Sequence, residues 1–209
     1  METIEKNTLS EVLTWSEEIA PLLIIIGSLV ALITLCIRFY QIHKDHKRSR
    51  VASAIDSVHV FSKASDESLV TTRSFVEKLN GEQCKNLLTS TAFEVERDLA
   101  PALSYALKDI EPDISKLEKG DEFIYLKPNH VAHLRFLALK HLNDIEIALL
   151  HWKEETGERR IFEEQLGYLV CCKSKRYIMQ KFRDTYRELL GGETNPYPCI
   201  DAFVLKMKE

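Results

Sequence analysis

Glycine is scarce, seven in 209 residues, and that scarcity excludes a good deal of chemistry. Phosphate-cradling loops and nucleophile elbows need glycine at fixed offsets, and neither these nor triad-like spacings occur. Cysteine is sparse too: Cys36, Cys84, Cys171, Cys172 and Cys199 form no C-x-x-C pair. An odd, scattered set reads as reduced, mostly buried thiols rather than a disulfide framework or a zinc site. The vicinal Cys171 and Cys172 read as adjacent core residues on a helix, with redox sensitivity as the alternative. His130, His133, His141 and His151, with Glu146, invite a metal reading. A helical metal site needs ligands three or four residues apart converging on one point, and these side chains point to different faces. No catalytic, cofactor-binding or metal-ligating residue is assigned, no cofactor is expected, and the chain is not expected to be an enzyme.

Charge is what the segment from Ile19 to Ile37 lacks: none falls between Glu18 and Arg38. About 20 apolar residues suffice for a helix to cross a bilayer, so residues 19–37 read as one transmembrane helix with the lipid bilayer as its partner. Residues 1–18 carry five acids against Lys6; Arg38 to Arg50 carries five basic residues against Asp45. Basic residues flanking a span stay on the cytoplasmic side, which puts the amino terminus outside and the carboxyl part in the cytoplasm. An acidic start with basic residues behind the apolar core does not fit a cleaved signal peptide. Trp15, Phe39 and Tyr40 suit an interfacial aromatic belt. Gly27 and Ala31 are a small-xxx-small pair where two spans could approach closely, and Pro21 falls in the first turn of the span. The basic segment suits attraction to anionic headgroups, or determines topology only.

Beyond the span the expected fold is all-α, with residues 38–80 as a basic juxtamembrane segment and long helix, and 81–209 as a cytoplasmic helical domain. Net charge is −4, and residues after Arg50 have 22 basic against 26 acidic side chains. A mildly acidic domain is a poor match for nucleic acid, which is not expected as a partner. Val51, Ile55, Val58, Ser62, Ser65, Leu69, Thr72, Val76 and Leu79 form a heptad seam. Its centre is polar, so a break near Ala64 to Glu67, with Asp66 capping a fresh helix, is the alternative. Asn80 and Gly81 are expected to end this helix.

A second helix is expected from Glu82 to Ile110, kinked or split near Leu99 to Ala102 by Pro101. A short helix at 113–120, closed by Gly120, and one brief extended run in DEFIYLKP follow, with strand content close to nil. Asn129 to Thr156 reads as a central helix, started by Asn129 and stopped by Gly157. It carries Val131, Leu134, Ala138, Leu142, Ile145, Leu149 and Trp152 on one face and Phe136, Leu139, Asn143, Ile147 and Leu150 on the other. Apolar on two sides, it should pack between neighbours, with Asn143 and Glu146 as candidate buried polar groups. A helix from Glu158 to Leu190 presents Lys173, Arg176, Gln180, Arg183 and Arg187 as a basic stripe. Lys173, Arg176, Arg183 and Arg187 are the candidate surface for an anion or a partner; the alternative is a face paired with the chain's own acids. Pro196 to Pro198 form a rigid turn, and a short helix around Ile200 to Met207 should dock on the core.

The segment HLNDIEIALLHWKEETGERRIFEEQLGYLV, with NPYPCIDAFV further on, resembles a family of small bacterial single-pass membrane proteins of unassigned function. The matching centre is LN-x-x-E, here Leu142, Asn143 and Glu146. The resemblance implies one amino-terminal span, a helical cytoplasmic domain and the inner membrane, and it carries over no activity. The expected function is a membrane-anchored, self-associating interaction or regulatory module with a homo-oligomeric state and a cytoplasmic protein partner. The rival is a membrane-acting effector, as in some phage-defence systems, whose oligomerised spans perturb the bilayer when the cytoplasmic domain is triggered.

Overall fold

The computed structural model describes residues 2–119, 122–171 and 176–209, and the side chains of 19–119, 122–170 and 177–209. Helix dominates. The chain divides into two compact units, Met1–Ser49 and Arg50–Glu209.

The first unit is helical throughout its described residues and belongs to α1, Glu2–Ala64. Its stretch from Ile19 is long and apolar enough to cross a membrane, and none of that window is buried within the chain. Because α1 starts at Glu2, Pro21 lies inside the helix and not in its first turn. Ser28 and Thr34 donate back to the carbonyls of Ile24 and Val30 at 2.7 Å, so neither hydroxyl is left unpaired in the apolar run.

In the second unit, Ala54 and Phe61 of α1 are buried, whereas Ile55 is exposed. The long helix is not continuous, and the alternative holds: α1 ends at Ala64 and α2 spans Glu67–Val76. Asp66 caps it, accepting the Leu69 N–H at 2.9 Å and the Ser68 hydroxyl at 2.6 Å. The seam from Leu69 onward is therefore core: Leu69, Thr72, Val76 and Leu79 are all buried. Asn80 starts a helix instead of ending one, through a reciprocal capping box with Gln83 that opens α3, Gly81–Leu88.

The expected helix from Glu82 to Ile110 is not continuous. It gives way after Leu88, where Ser90 takes a left-handed φ of 55° and Thr89 and Thr91 hydrogen-bond locally. Clustered hydroxyls of this kind compete with the helix ladder. β1, Phe93–Glu96, follows, then a 3-10 turn and α4, Ala100–Ala106, with Pro101 in its first turn. Pro101 therefore opens a fresh helix and splits none, because the break lies further back, between Leu88 and Ala100. Residues 114–117 form a 3-10 turn, then β2, Glu118–Lys119, and β3, Phe123–Leu126, the extended run expected in DEFIYLKP. The antiparallel order is β1-β3-β2, with Val95 opposite Ile124 and both buried. Period-two alternation in FEVE and FIYL puts Phe93, Val95, Ile124 and Leu126 on the core side. Strand content is low but not nil.

The central element is α5, Pro128–Lys153, which packs against α2, α3, α6 and α8. Pro128 is its first residue and Lys127 its N-cap, one or two positions before the expected start at Asn129. Beyond its end Gly157 is buried, and a Cβ there would lie 2.6 Å from the Phe162 ring, so the position demands glycine. α6, Arg159–Leu166, leads through a 3-10 turn into β4, Val170–Cys171, which pairs with β5, Arg176–Tyr177. Then come α7, Gln180–Leu189, and α8, Pro198–Lys208, which docks as expected through Ile200, Phe203 and Val204. Phe203 meets Trp152 of α5 edge-on, with ring centroids 5.3 Å apart.

Candidate functional site

The basic stripe does not form on one helix face. Lys173 lies outside the described residues, as does the side chain of Arg176, whose backbone belongs to β5. The expected helix from Glu158 to Leu190 is interrupted by the β4 and β5 strands, and of the stripe only Gln180, Arg183 and Arg187 share α7. Arg183 is 3% exposed. Its Nε donates to the Ile178 carbonyl at 2.9 Å, one terminal nitrogen to the Tyr177 carbonyl at 3.0 Å, and the other to Asp201 of α8. Arg187 reaches the second Asp201 oxygen at 2.5 Å, and Asn195 donates to the same oxygen at 2.9 Å.

This arrangement explains a costly piece of backbone. Ile178 and Met179 both sit at left-handed φ, 55° and 53°, where a β-branched side chain is strained. The Arg183 guanidinium holds the two carbonyls at that corner and pins it to α8. Burial by itself would raise the Asp201 carboxyl; hydrogen bonds and charge from Arg183, with Asn195 and Arg187, hold it below its ordinary value. The guanidiniums of Arg183 and Arg187 are therefore spent internally on Asp201, an acid the sequence reading did not pair with them.

The LN-x-x-E centre divides three ways. Leu142 is buried in the core. Asn143 is exposed, on the side of α5 turned away from the core, so the expectation of a buried amide is corrected. Glu146 is part-buried and takes the N–H of Cys199 at 2.8 Å and of Ile200 at 3.0 Å. Pro198 has no N–H to offer, so Glu146 satisfies the next two free amides at the start of α8 and places a carboxylate at the positive end of that helix. Burial first, and then Glu146, pushes the Cys199 thiol up to about 11; burial likewise pushes the Cys84 thiol up to about 11. Both thiols stay protonated and unreactive near neutral pH. Cys171 lies in strand β4, not on a helix; its side chain and all of Cys172 lie outside the described residues.

The second apolar face of α5 is not packed between neighbours. Phe136 is 62% exposed, Ile147 63% and Leu150 47%, with Leu139 partly covered. The sequence did list these positions as a face, but periodicity cannot say whether a second face is covered from within the chain. His141, by contrast, is 1% exposed with no hydrogen-bond partner at either ring nitrogen, and burial lowers its pKa to about 4. Among the described residues no group of three or more His, Cys, Asp or Glu converges on a metal position. Gly27 and Ala31 lie one turn apart on α1, both exposed, and nothing comes within 4 Å of a Cβ built on Gly27. No family model, curated protein or solved structure matches the chain.

Proposed function

We propose that the chain is a non-enzymatic, membrane-tethered helical module that self-associates and presents its second unit to a cytoplasmic protein partner. The observation that carries this reading is the wholly unburied apolar stretch of α1 from Ile19, which has no cover within the chain. Water rejects such a surface, and a bilayer accepts it. The acidic residues before the span and the basic ones from Arg38 to Arg50 support an amino terminus outside and a cytoplasmic carboxyl unit. Gly27 and Ala31 offer a close-approach face for two spans.

Crosslinking of the full chain in native membranes tests the self-associating part. The reading expects a dimer or higher species at native expression, weakened by Gly27→Leu. A strictly monomeric chain contradicts it. Topology is tested separately by tagging the carboxyl end, which should be protected from protease added to intact cells.

A further inference from the structure

The exposed face of α5 has an order of its own. Counting outward from Asn143, Leu139 and Ile147 lie four residues away on either side, and Phe136 and Leu150 lie seven away. The spacing three, four, four, three is symmetric about Asn143. A sustained heptad zipper, parallel or antiparallel, wants strict alternation of three and four, which would put Glu146 in the seam instead of Ile147, so this face suits a short crossing contact. Glu146 is already taken by the amides of Cys199 and Ile200. In an antiparallel pair of identical helices with the axis at Asn143, positions equally far before and after that residue come opposite each other, so a spacing symmetric about it sets apolar positions against apolar ones.

We infer that this face docks on the same face of a second copy, α5 against α5 in antiparallel sense, with the two-fold axis at Asn143. The axis sets Phe136 of each copy against Ile147 and Leu150 of the other, with Leu139 closing the row beside Leu150. The two Asn143 amides meet on the axis, where each can both donate and accept, and a lone polar pair in an apolar seam fixes the register. Charge agrees: Lys140 and Asp144, paired at 2.8 Å within one helix, lie on one flank of the face. The axis brings Lys140 of each copy beside Asp144 of the other, so opposite signs alternate along that edge.

The apolar row offers on the order of 300 Å² per copy. That sits below the roughly 800 Å² per partner of a free-standing specific interface, so the contact needs help. Tethering both copies in one membrane supplies it by raising their effective concentration; to that extent the inference rests on the membrane-tethered reading.

The test uses the full chain in membranes of expressing cells, with Cys36, Cys171 and Cys172 replaced by Ser so that only the buried Cys84 and Cys199 remain, and a short bis-maleimide. Asn143→Cys is expected to give a dimer band that this triple-Ser parent lacks. Phe136→Cys with Leu150→Cys in the same chain is also expected to crosslink. Phe136→Cys alone should not, since fourteen residues of rise hold the two copies of that position about 20 Å apart. Three results overturn the inference, and the first two are no Asn143→Cys dimer and a dimer from Phe136→Cys alone, which means parallel helices. A third is an Ile147→Cys chain that yields no dimer and whose bimane label is quenched by nitroxide lipid, which assigns the face to the bilayer. The tether is scored separately in the same cells: a chain found in the soluble fraction defeats that reading, and the same crosslinks are then read there.

Discussion

The backbone N–H of Cys199 meets the Glu146 carboxylate at 2.8 Å, across 53 residues of sequence. With the Ile200 amide on the other oxygen, one side chain of α5 sets where α8 begins. Glu146→Ala should therefore destabilise the second unit by about 2 kcal/mol, since two part-buried amides lose a charged acceptor. Glu146→Gln keeps one acceptor oxygen and should lose less. Denaturant unfolding of the full chain in detergent, followed by circular dichroism, checks both.

Arg183 and Asp201 give the second prediction. Replacing Arg183 by Met strips two carbonyls and a carboxylate of a buried partner, for an expected loss of about 3–5 kcal/mol. Arg187→Met, at a more exposed position, should cost at most about 1 kcal/mol. If instead the arginines serve an external ligand, Arg183→Met leaves the melting temperature unchanged. The folded pKa of Asp201 is depressed, so its contribution is present above the unfolded value near 3.9 and is lost as pH falls through the folded value. Asp201→Asn should flatten the acid end of the stability profile.

His141 should make stability pH-dependent in a different window. Its folded pKa is lowered to about 4 by burial, then by Arg73, against an ordinary value of 6.5. Between those values the unfolded chain binds the extra proton, so stability is full above pH 6.5 and declines as pH falls toward 4. The maximal loss is about 3 kcal/mol, and His141→Leu should remove most of the slope. A profile unchanged by that substitution would mean the ring is hydrated and titrates normally.

The two faces of α5 should respond oppositely to truncation. Leu142→Ala empties a fully buried site and should cost about 2–5 kcal/mol. Leu150→Ala, on the exposed row, should stay within about 0.5 kcal/mol when denaturant unfolding is followed on the detergent-dispersed monomer, where no second copy covers it. Equal losses would place Leu150 in a core.

Much of this fold was legible in residues acting over short range. The uncharged run from Ile19 to Ile37, the cap at Asp66 and the short apolar helix α8 all follow from local chemistry. Phe93 to Glu96 was not legible as a strand, because four residues alternating in and out also satisfy a helical spacing through Val95 and Leu99. Nor was the clasp of Arg183 and Arg187 on Asp201, which joins α7 to α8 behind a left-handed corner at Ile178 and Met179 that no local pattern announces. The face of Phe136, Asn143 and Ile147 was read as a face, but only the packing of the other elements could show it to be uncovered.

The proposed function depends on α1 entering a bilayer. Alkaline carbonate extraction of membranes from cells making the full chain measures this directly. The account predicts that the protein stays in the pelleted membrane and enters the detergent phase on partitioning; recovery in the carbonate supernatant would contradict it.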